Sequence, residues 1–498
     1  MKKTSIFIVL SVAVIVQGCR LESEMYDAIN PTLFPKTAKD AEALVTGSCY
    51  NIFQSRGYDG IFNMNNGIQI VNDFASDNSE CQWRDREPVL YGRWTVNSQG
   101  YISNSWQWTK FINSMTLNID RISQIDMDET LKNRLIAELR CGRGFLGFLM
   151  YDFYGPIPIA DLETLKNPLE EKIIPRATEE EMQTFIETEL TEAAKILPYS
   201  YKKGDSDYGR FSKGVCYMVL LKFYMQTRQW AKAEAAGREL MKPEYGYALV
   251  PRYKDIFTLE NEKNVETIFS FNSLKGYQEH KWHPHVLPND YPTDPSHVVK
   301  WNGYKISWWF MHTYEEGDRR LETIVSEYTG VGGLLHNEEL DVAGGEQIRY
   351  GAVPVKYEID RTTTGEDNQI DYIIYRYADA LTLLSEAIVR KNNAVMQEAV
   401  DLLNRVRTRA GLPACTPADF SGVRDFLDKL LMERAHEFYW EGCRRQDLIR
   451  DGSWVEAMKY KSRVMGQTTL VNENYVRFPL PQSVIDEGKG IILQNPGY

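Results

Sequence analysis

This chain has no long apolar run after its first 18 residues, and its basic residues do not outnumber its acidic ones. After residues 1–18, no apolar run reaches the roughly 20 residues that a membrane-spanning helix needs. The 57 Lys and Arg are outnumbered by 69 Asp and Glu, which gives a formal net charge of −12. An acidic chain without a basic patch offers no electrostatic surface for phosphate backbones. We therefore predict neither a second membrane segment nor a nucleic-acid partner.

Catalytic and metal-binding motifs are missing as well. The sequence has no GxSxG motif, and its glycine turns lack the lysine of a phosphate-binding loop. Three histidines, His280, His283 and His285, lie close together, but Pro284 interrupts them and their spacing matches no zinc motif. We expect them to lie in a solvent-facing polar loop. The sequence thus predicts no catalytic residues, no metal site and no cofactor, and we expect the protein not to be an enzyme.

Cysteine is scarce and scattered, with seven residues in the chain. The close pairs that are typical of zinc sites and redox motifs are absent. Cys49 and Cys81 are the pair that we would test as a disulfide. Cys141, Cys216 and Cys443 lie beside apolar residues at helical spacing, and we expect them to be buried thiols.

The first residues have the pattern of an export signal. Two lysines precede an apolar run from Ile6 to Val16, and the small residue Gly18 comes directly before Cys19. This pattern resembles the lipobox of bacterial lipoproteins, which implies a cleaved signal at 1–18 and acylation of Cys19. An ordinary secretory signal that happens to end near a cysteine is the alternative. Several acyl chains on one cysteine anchor a protein durably without a spanning helix.

A wide apolar face at helical spacing marks the stretch from Arg134 to Ile159. Such a face predicts a helix that is enclosed by other helices. Gly155 and the prolines that follow it are expected to end this helix. Gly142, Gly144 and Gly147 each cost roughly 1 kcal/mol relative to alanine in a helix. We expect these three glycines to let neighbouring helices approach closely.

Further helices are predicted on either side of a loop-rich region. The pattern indicates helices at 37–54, 101–125, 179–197, 211–227, 230–241, 374–391, 396–410 and 426–450. Trp230, Ala233 and Ala236 follow an aromatic helix and a short turn, which is similar to the helix pairs of tetratricopeptide repeats, although no strict period is visible. From about Pro243 to Ile370 the helical signal fades. We interpret this part as a loop-rich lobe packed on stacked helical hairpins.

Several blocks of sequence occur in a specific order. They are GFLGFLMYDFYGPIPI, RYADALTLLSEA, LLNRVRTRAGL, MERAHEFYWEGCRRQDLIRDG, FPLP and the terminal QNPGY. Together with the lipobox they resemble the SusD/RagB family of outer-membrane nutrient-uptake lipoproteins of Bacteroidetes, over nearly the whole chain from Cys19 to Tyr498. The resemblance implies a mainly α fold, an α-α superhelix of tetratricopeptide-like hairpins, and a lipid anchor at the cell surface. It also implies a TonB-dependent transporter of the SusC type as partner. Members of the resembled family commonly bind oligosaccharides and are not enzymes, so the resemblance implies binding without catalysis.

Aromatic residues make up 12% of the chain, and two stretches hold them outside helical patterns and beside amide and charged side chains. A sugar ring presents a flat patch of C–H groups that packs on Trp or Tyr, while its hydroxyl groups need polar partners. The stretches are 73–97 and 282–309, and in the resembled family carbohydrate contacts tend to come from such loops. The alternative for each ring is that it packs its loop onto the helices. The residues predicted to contact ligand are Trp83, Arg84, Tyr91, Trp94, Asn97, Trp282, Asn289, Tyr291, Trp301 and Tyr304.

One set of carboxylates has the spacing of a possible active site. Glu433, Glu437 and Glu441 lie four residues apart in a predicted helix, and paired carboxylates carry out glycoside hydrolysis. Arginines occur in the same helix, and Arg445 follows Glu441 by four residues, which favours a salt-bridged helix instead.

The complete pattern predicts a lipid-anchored outer-membrane protein that faces the cell exterior, binds a glycan and delivers it to a SusC-like transporter. Its predicted segments are the signal at 1–18, an N-terminal SusD-like helical region with tetratricopeptide-type helices at 19–242, a loop-rich ligand-side lobe at 243–370 and a C-terminal helical region at 371–498 that completes the scaffold. The first alternative is a binder of peptides or another nutrient on the same scaffold. The second is a secreted all-helical glycoside hydrolase.

Overall fold

The computed structural model describes residues 34–55, 60–98, 102–167, 169–170, 172–294, 296–362 and 365–498. The predicted signal at 1–18 and the predicted lipidation site Cys19 lie outside the described residues. Within those ranges, no helix is both long and apolar enough to cross a membrane. The predicted segment boundaries stay predictions.

Helices packed in consecutive pairs form the N-terminal part. They are α1 (Ala38–Val45), α2 (Ile68–Phe74), α3 (Thr109–Ser123), α4 (Glu129–Tyr154), α5 (Glu179–Ile196), α6 (Lys213–Gln226) and α7 (Trp230–Leu240). A π-helical turn, Thr46–Tyr50, and the short segment Asn51–Phe53 extend α1. Helix α3 packs on α4, α4 on α5, and α6 on α7. Thr178 and Glu181 form a capping box that fixes the start of α5.

The C-terminal helices continue the same stack. They are α8 (Tyr377–Asn392), α9 (Gln397–Arg409), α10 (Val423–Glu437), α11 (Arg444–Asp451) and α12 (Trp454–Val464). Helix α8 packs on both α7 and α9, so it joins the two sets. The predicted mainly α fold of stacked helical hairpins is confirmed.

Short strands and short helices lie both within the predicted loop-rich lobe at 243–370 and on either side of it. The strands are β1 (Ser79–Cys81), β2 (Thr267–Phe271), β3 (Tyr304–Ser307), β4 (Tyr328–Thr329), β5 (Leu335–His336), β6 (Gly351–Ala352) and β7 (Tyr372–Arg376). They pair antiparallel in three small sheets, of order β1-β3-β6, β2-β7 and β4-β5. The short helices are Glu87–Leu90, Leu162–Lys166, Trp282–Val286, Trp308–Met311, Glu338–Ala343 and Gln482–Glu487.

Helix α4 lies at the centre of the scaffold, as predicted from its wide apolar face. Its C-terminal half is almost entirely buried, and it ends where Gly155 adopts a positive φ of 74°. A Cβ atom on Gly142 would lie 2.4 Å from the Cys49 sulfur, and one on Gly144 would lie 2.7 Å from a Leu190 carbon. The prediction that these glycines permit close helix approach is confirmed.

The same glycines give a matched pair of stability tests. Gly142→Ala is expected to lower the free energy of unfolding by about 1–2 kcal/mol, because overpacking outweighs the gain in helix propensity. Gly147→Ala has its nearest contact at 3.2 Å, from a Phe185 ring carbon, and is expected to be neutral or slightly stabilising. Urea unfolding midpoints of the two variants check both values. Equal midpoints would contradict the packing explanation.

Three predicted helices are wrong in detail. The stretch 101–125 opens with the 3₁₀ segment Ser103–Trp108, and its α-helix runs only from Thr109 to Ser123. The stretch 374–391 starts as strand β7, and its helix begins only at Tyr377. The stretch 426–450 is not one helix, because α10 ends at Glu437 and α11 begins at Arg444. Between them Trp440 and Gly442 have positive φ values of 56° and 72°, which a continuous helix does not contain.

The six cysteines that the structure describes are free thiols, and all of them except the partly buried Cys415 are buried. Cys49 and Cys81 are both free and buried, so the pair that we would test as a disulfide is not joined in this structure. Cys141, Cys216 and Cys443 are buried, as predicted. Burial raises the pKa of the Cys81 thiol to about 12, which suppresses its reactive thiolate form.

Candidate ligand-binding site

The two predicted aromatic stretches meet at one place in the fold. Strands β1 and β3 pair antiparallel with Cys81 opposite Tyr304, so the residues just after β1 run beside those just before β3. The Gln82 N–H donates to the Gly303 carbonyl at 2.9 Å, and the Trp83 indole N–H donates to the Trp301 carbonyl at 2.9 Å. The pairing therefore places the rings of Trp83 and Trp301 side by side.

These rings form one wall of a cavity of about 410 Å³, which we call the aromatic pocket. The cavity is lined by Phe62, Asn63, Met64, Asn65, Trp83, Phe271, His280, Lys281, His285, Trp301 and Asp367. Its size and its mixture of aromatic and polar groups are typical of small-molecule sites. Among the predicted contact residues, Trp83 and Trp301 are the ones that line it.

The aromatic rings present a bent surface. The ring centroids of Trp83 and Trp301 lie 6.4 Å apart with an interplanar angle of 50°. The His285 ring lies 5.0 Å from that of Trp301 at 74°, and 5.4 Å from that of Trp83. Both tryptophans are only partly buried. Because its N–H is bonded to backbone, Trp83 is fixed in orientation while part of its ring stays accessible.

Hydrogen bonds and an ion pair hold the polar side chains of the aromatic pocket in place. The Asn63 side-chain oxygen accepts the N–H groups of Asn65 and Asn66 at 2.9 Å, and Asn65 accepts a hydrogen bond from Arg86 at 2.6 Å. The Lys281 ammonium forms an ion pair with Glu366. The pocket thus combines amides and one paired cation with its aromatic wall.

The pocket histidines are neutral hydrogen-bond donors. His280 Nε2–H donates to the Ile370 carbonyl at 2.7 Å, and His285 Nδ1–H donates to the Lys281 carbonyl at 2.6 Å. Burial lowers the pKa of His280 to about 3 and that of His285 to about 4. Both rings are therefore uncharged at neutral pH.

The prediction of a solvent-facing histidine loop is wrong. His280, His283 and His285 are each 3% exposed, and the last two lie in the short helix Trp282–Val286. They are buried because the segment is held from several sides, for instance by the His283 Nε2–H donating to the Tyr357 carbonyl at 3.2 Å. No group of three or more potential metal ligands is found among the described residues.

Four predicted contact residues lie in the core. Tyr91, Trp94, Trp282 and Tyr304 are each 0% exposed. Trp94 stacks on Trp454 at 6.3 Å, and Tyr304 stacks on Trp440 at 4.8 Å. A ring without accessible surface has no face to offer a ligand, so we remove these four from the candidate site.

The other four predicted residues lie outside the aromatic pocket. The Arg84 guanidinium lies 4.9 Å from the centre of the Tyr350 ring, and Tyr291 packs edge-on against Tyr328 at 5.0 Å. Asn97 and Asn289 are exposed. A ligand role for Arg84, Asn97, Asn289 and Tyr291 stays a prediction.

Several pocket residues were missed by sequence reasoning. Phe62, Asn63, Met64 and Asn65 lie in an irregular stretch, and their signal is the mixture of apolar and amide side chains in FNMNN. Phe271 ends a strand and carries no signal, because its apolar neighbours predict only a buried strand.

Gly303 is the support on which the Trp83 ring rests. A Cβ atom there would lie 2.7 Å from a carbon of that ring and 2.7 Å from the His285 carbonyl. We expect Gly303→Ala to displace Trp83 and to lower stability by about 1–3 kcal/mol. The measurement is near-ultraviolet circular dichroism with urea unfolding, and an unchanged spectrum together with an unchanged midpoint would contradict this placement.

The carboxylates with the spacing of an active site are not available to a substrate. Glu433 and Glu437 are 2% and 0% exposed, and both pair with Arg320. Glu441 lies in the turn after α10 and pairs with Arg376 and Lys356, so the predicted pairing with Arg445 along one helix is wrong. The three glutamates do form salt bridges, as predicted, but in a buried network rather than along the surface of one helix.

Comparison with known proteins gives matches over most of the chain. A model described as SusD family matches residues 266–498, and one described as starch-binding associating with outer membrane matches residues 27–225. SusD-like protein P2 of Formosa agariphila is 24% identical, and the alignment covers 100% of both chains. Starch-binding protein SusD of Bacteroides thetaiotaomicron is 23% identical over 86% of this chain and 84% of its own.

Solved structures with the same fold are also found. Surface glycan-binding protein A from Bacteroides thetaiotaomicron, in complex with laminarihexaose, has a TM-score of 0.73 at 20% identity and covers 92% of this chain and 99% of its own. A laminarin binding SusD-like protein has a TM-score of 0.75 at 21% identity, with 93% and 100% covered. At these identities the likeness establishes the fold.

Proposed function

The chain belongs to the SusD/RagB family, and from this premise we propose that its aromatic pocket captures a glycan at the bacterial outer membrane. The observation that carries the proposal is the convergence of Trp83 and Trp301. They come from distant stretches of the chain and form one bent, partly accessible indole surface beside Asn63, Asn65 and Lys281.

This arrangement suits the chemistry of a sugar. The C–H faces of a sugar ring gain dispersion and hydrophobic contact on an indole, and its hydroxyl groups find amide and ammonium partners nearby. The similar proteins include a starch-binding protein, a laminarin binding protein and a complex with laminarihexaose, which supports a glycan over a peptide. A peptide or another nutrient remains the first alternative on this scaffold.

We further propose that acylated Cys19 anchors the protein to the outer membrane, facing the exterior, beside a SusC-like TonB-dependent transporter. The description of one matching family model, which names the outer membrane, supports this location. Anchoring near a transporter raises the local ligand concentration at the pore, so modest intrinsic affinity suffices. The protein would then act in capture and delivery.

Hydrolysis is the less favoured function. Paired carboxylates that cleave a glycosidic bond must reach the substrate from an open site. Glu433, Glu437 and Glu441 are instead buried in contacts with arginine and lysine. We therefore propose binding without turnover.

Native affinity electrophoresis of the chain from Arg20 onward, in gels cast with a panel of neutral polysaccharides, tests the capture role. We expect one polysaccharide to retard the protein and to stay intact. Degradation of the polymer would overturn binding without turnover. Absence of retardation in every gel would point to a ligand other than a neutral glycan, or to a site that the transporter completes.

A further inference from the structure

A second groove lies at the opposite end of strand β2 from the aromatic pocket. Phe271, at the end of β2, lines the aromatic pocket, whereas Thr267, at its start, lines a cavity of about 520 Å³. At roughly 3.3 Å per residue, the two sites are about 13 Å apart along the strand. We call the second cavity the lysine groove, and it is bounded by segments 200–203, 245–251 and 261–267.

Positive charge distinguishes the lysine groove. Lys202, Lys203 and Lys263 line it, against one acidic lining residue, Glu262. In the part of the chain that the structure describes, none of the three ammonium groups has a carboxylate oxygen within 4.0 Å. The Glu262 carboxylate accepts the Asp371 N–H at 3.1 Å, and burial raises its pKa. The groove thus has three lysines against one glutamate, whereas the chain as a whole has a net charge of −12. Such a local excess of positive charge attracts anions.

The lysines differ in how firmly they are placed. The Lys203 ammonium donates to the Glu260 carbonyl at 3.1 Å, and the Lys263 ammonium lies 5.2 Å from the centre of the Tyr208 ring. Lys263 has a φ of 57°, a left-handed conformation that is unfavourable for a lysine and is often kept at functional sites. A glycine or asparagine would avoid this cost, so the position points to a use for the side chain.

The remaining walls provide surface for a sugar ring. The partly buried Tyr247 ring stacks on the buried Tyr245 ring, with centroids 5.7 Å apart at 23°, and Val265, which also lines the groove, is 54% exposed. We propose that the lysine groove binds an acidic segment of a glycan, one that carries carboxylate or sulfate groups. Its ammonium groups attract the anion, and the ring and apolar surfaces contact the sugar. This inference rests on the proposed function, because it takes the ligand to be a glycan. It differs in assigning a second site, and in assigning to that site a glycan segment that is acidic rather than neutral.

Titration calorimetry on the mature protein tests this assignment with matched ligands. The probes are trigalacturonate against its methyl ester, and dextran sulfate against dextran, each at low and at high salt. We expect one or both acidic probes to bind at low salt, with affinity that falls as salt rises, and their uncharged counterparts to bind at least about tenfold more weakly. The pair that responds tells carboxylate from sulfate.

Charge-removing variants locate the site. The double variant Lys202→Gln/Lys263→Gln should weaken acidic-probe binding about tenfold or more, whereas Lys242→Gln, an exposed lysine paired with Glu239 outside the groove, should leave it unchanged. Binding of the neutral glycan found in the gel panel should persist in the double variant, which also shows that it folds.

Two results would overturn the lysine groove as a binding site. One is that neither acidic probe binds the wild type at low salt, and the other is that the double variant binds them as well as the wild type. Loss of neutral binding in Trp301→Ala with retained acidic binding would support two separate sites. If no neutral glycan binds while acidic probes bind through the lysines, the aromatic pocket fails as a capture site and the lysine groove stands.

Discussion

Replacing Arg376 by alanine is expected to lower the free energy of unfolding by about 3–5 kcal/mol, the cost of breaking a buried ion network. Arg376 is 0% exposed at the end of β7. All of its N–H donors have acceptors: Nε and Nη2 donate to Glu441, Nη1 to Glu266 and Glu437, and Nη2 also to the Glu437 carbonyl. Alanine would leave those acceptors in an interior that water does not reach.

The arginines of the network keep Glu437 charged, which is why losing one of them is costly. Burial by itself would raise the pKa of Glu437, but Arg409, Arg376 and Arg320 lower it to about 2. Arg409 also pairs with Glu266 at 3.0 Å, so the carboxylates share their partners. Without Arg376 the same carboxylates have one cation fewer and no solvent to replace it.

Urea unfolding of Arg376→Ala and two companion variants measures this effect. Arg376→Lys should also be strongly destabilised, because a single ammonium group cannot reproduce the guanidinium fork. Arg252→Ala removes an exposed arginine that pairs with Glu322, and its free energy of unfolding should change by less than about 1 kcal/mol. A loss below about 1 kcal/mol in Arg376→Ala would contradict the cost that we assign to breaking this network.

The helical scaffold was largely predictable from sequence, whereas the turn that builds this network was not. Apolar spacing indicated the helices because the core is made of helix faces. At 426–450 the same spacing continues through Glu441, but Trp440 and Gly442 turn the chain instead. Gly442 was the available signal, since glycine adopts a left-handed conformation more readily than other residues. Its role depends on a tertiary contact, the Gly442 N–H donating to Asp73 at 2.8 Å, which no local pattern contains.

The candidate site was predictable only in part, and for a similar reason. Missing helical periodicity identified irregular aromatic stretches, and these include Trp83 and Trp301, which line the aromatic pocket. It gave no means of telling an accessible ring from a core ring. Tyr304 is buried because Trp440, far along the chain, stacks on it, and Trp94 is buried because Trp454 packs on it. Both causes lie in long-range contacts.

Replacing Trp301 by alanine is expected to weaken glycan binding by about 2–3 kcal/mol, or roughly 30- to 150-fold. Trp301 is partly buried and lines the aromatic pocket, and its ring centroid lies 6.4 Å from that of Trp83 and 5.0 Å from that of His285. Its removal takes away half of the bent indole surface on which a sugar would rest.

The backbone of Trp301 allows this loss to be separated from unfolding. Its N–H donates to the Pro284 carbonyl at 2.7 Å, and its own carbonyl accepts the Trp83 indole N–H at 2.9 Å. Both hydrogen bonds survive in alanine, so Trp83 keeps its orientation. Trp301→Phe retains a ring and should lose less than about tenfold in affinity.

Titration calorimetry with the neutral glycan found by electrophoresis is the measurement, with Trp230→Ala as the matched control. Trp230 is a partly buried tryptophan of α7 whose ring lies 5.1 Å from the Arg390 guanidinium, outside the aromatic pocket. Its replacement removes as much indole as Trp301→Ala but should leave affinity unchanged. If Trp301→Ala binds as tightly as the wild type while Arg84, Asn97, Asn289 or Tyr291 variants do not, the ligand rests elsewhere on the lobe. The convergence of the two aromatic stretches would then be a packing feature alone.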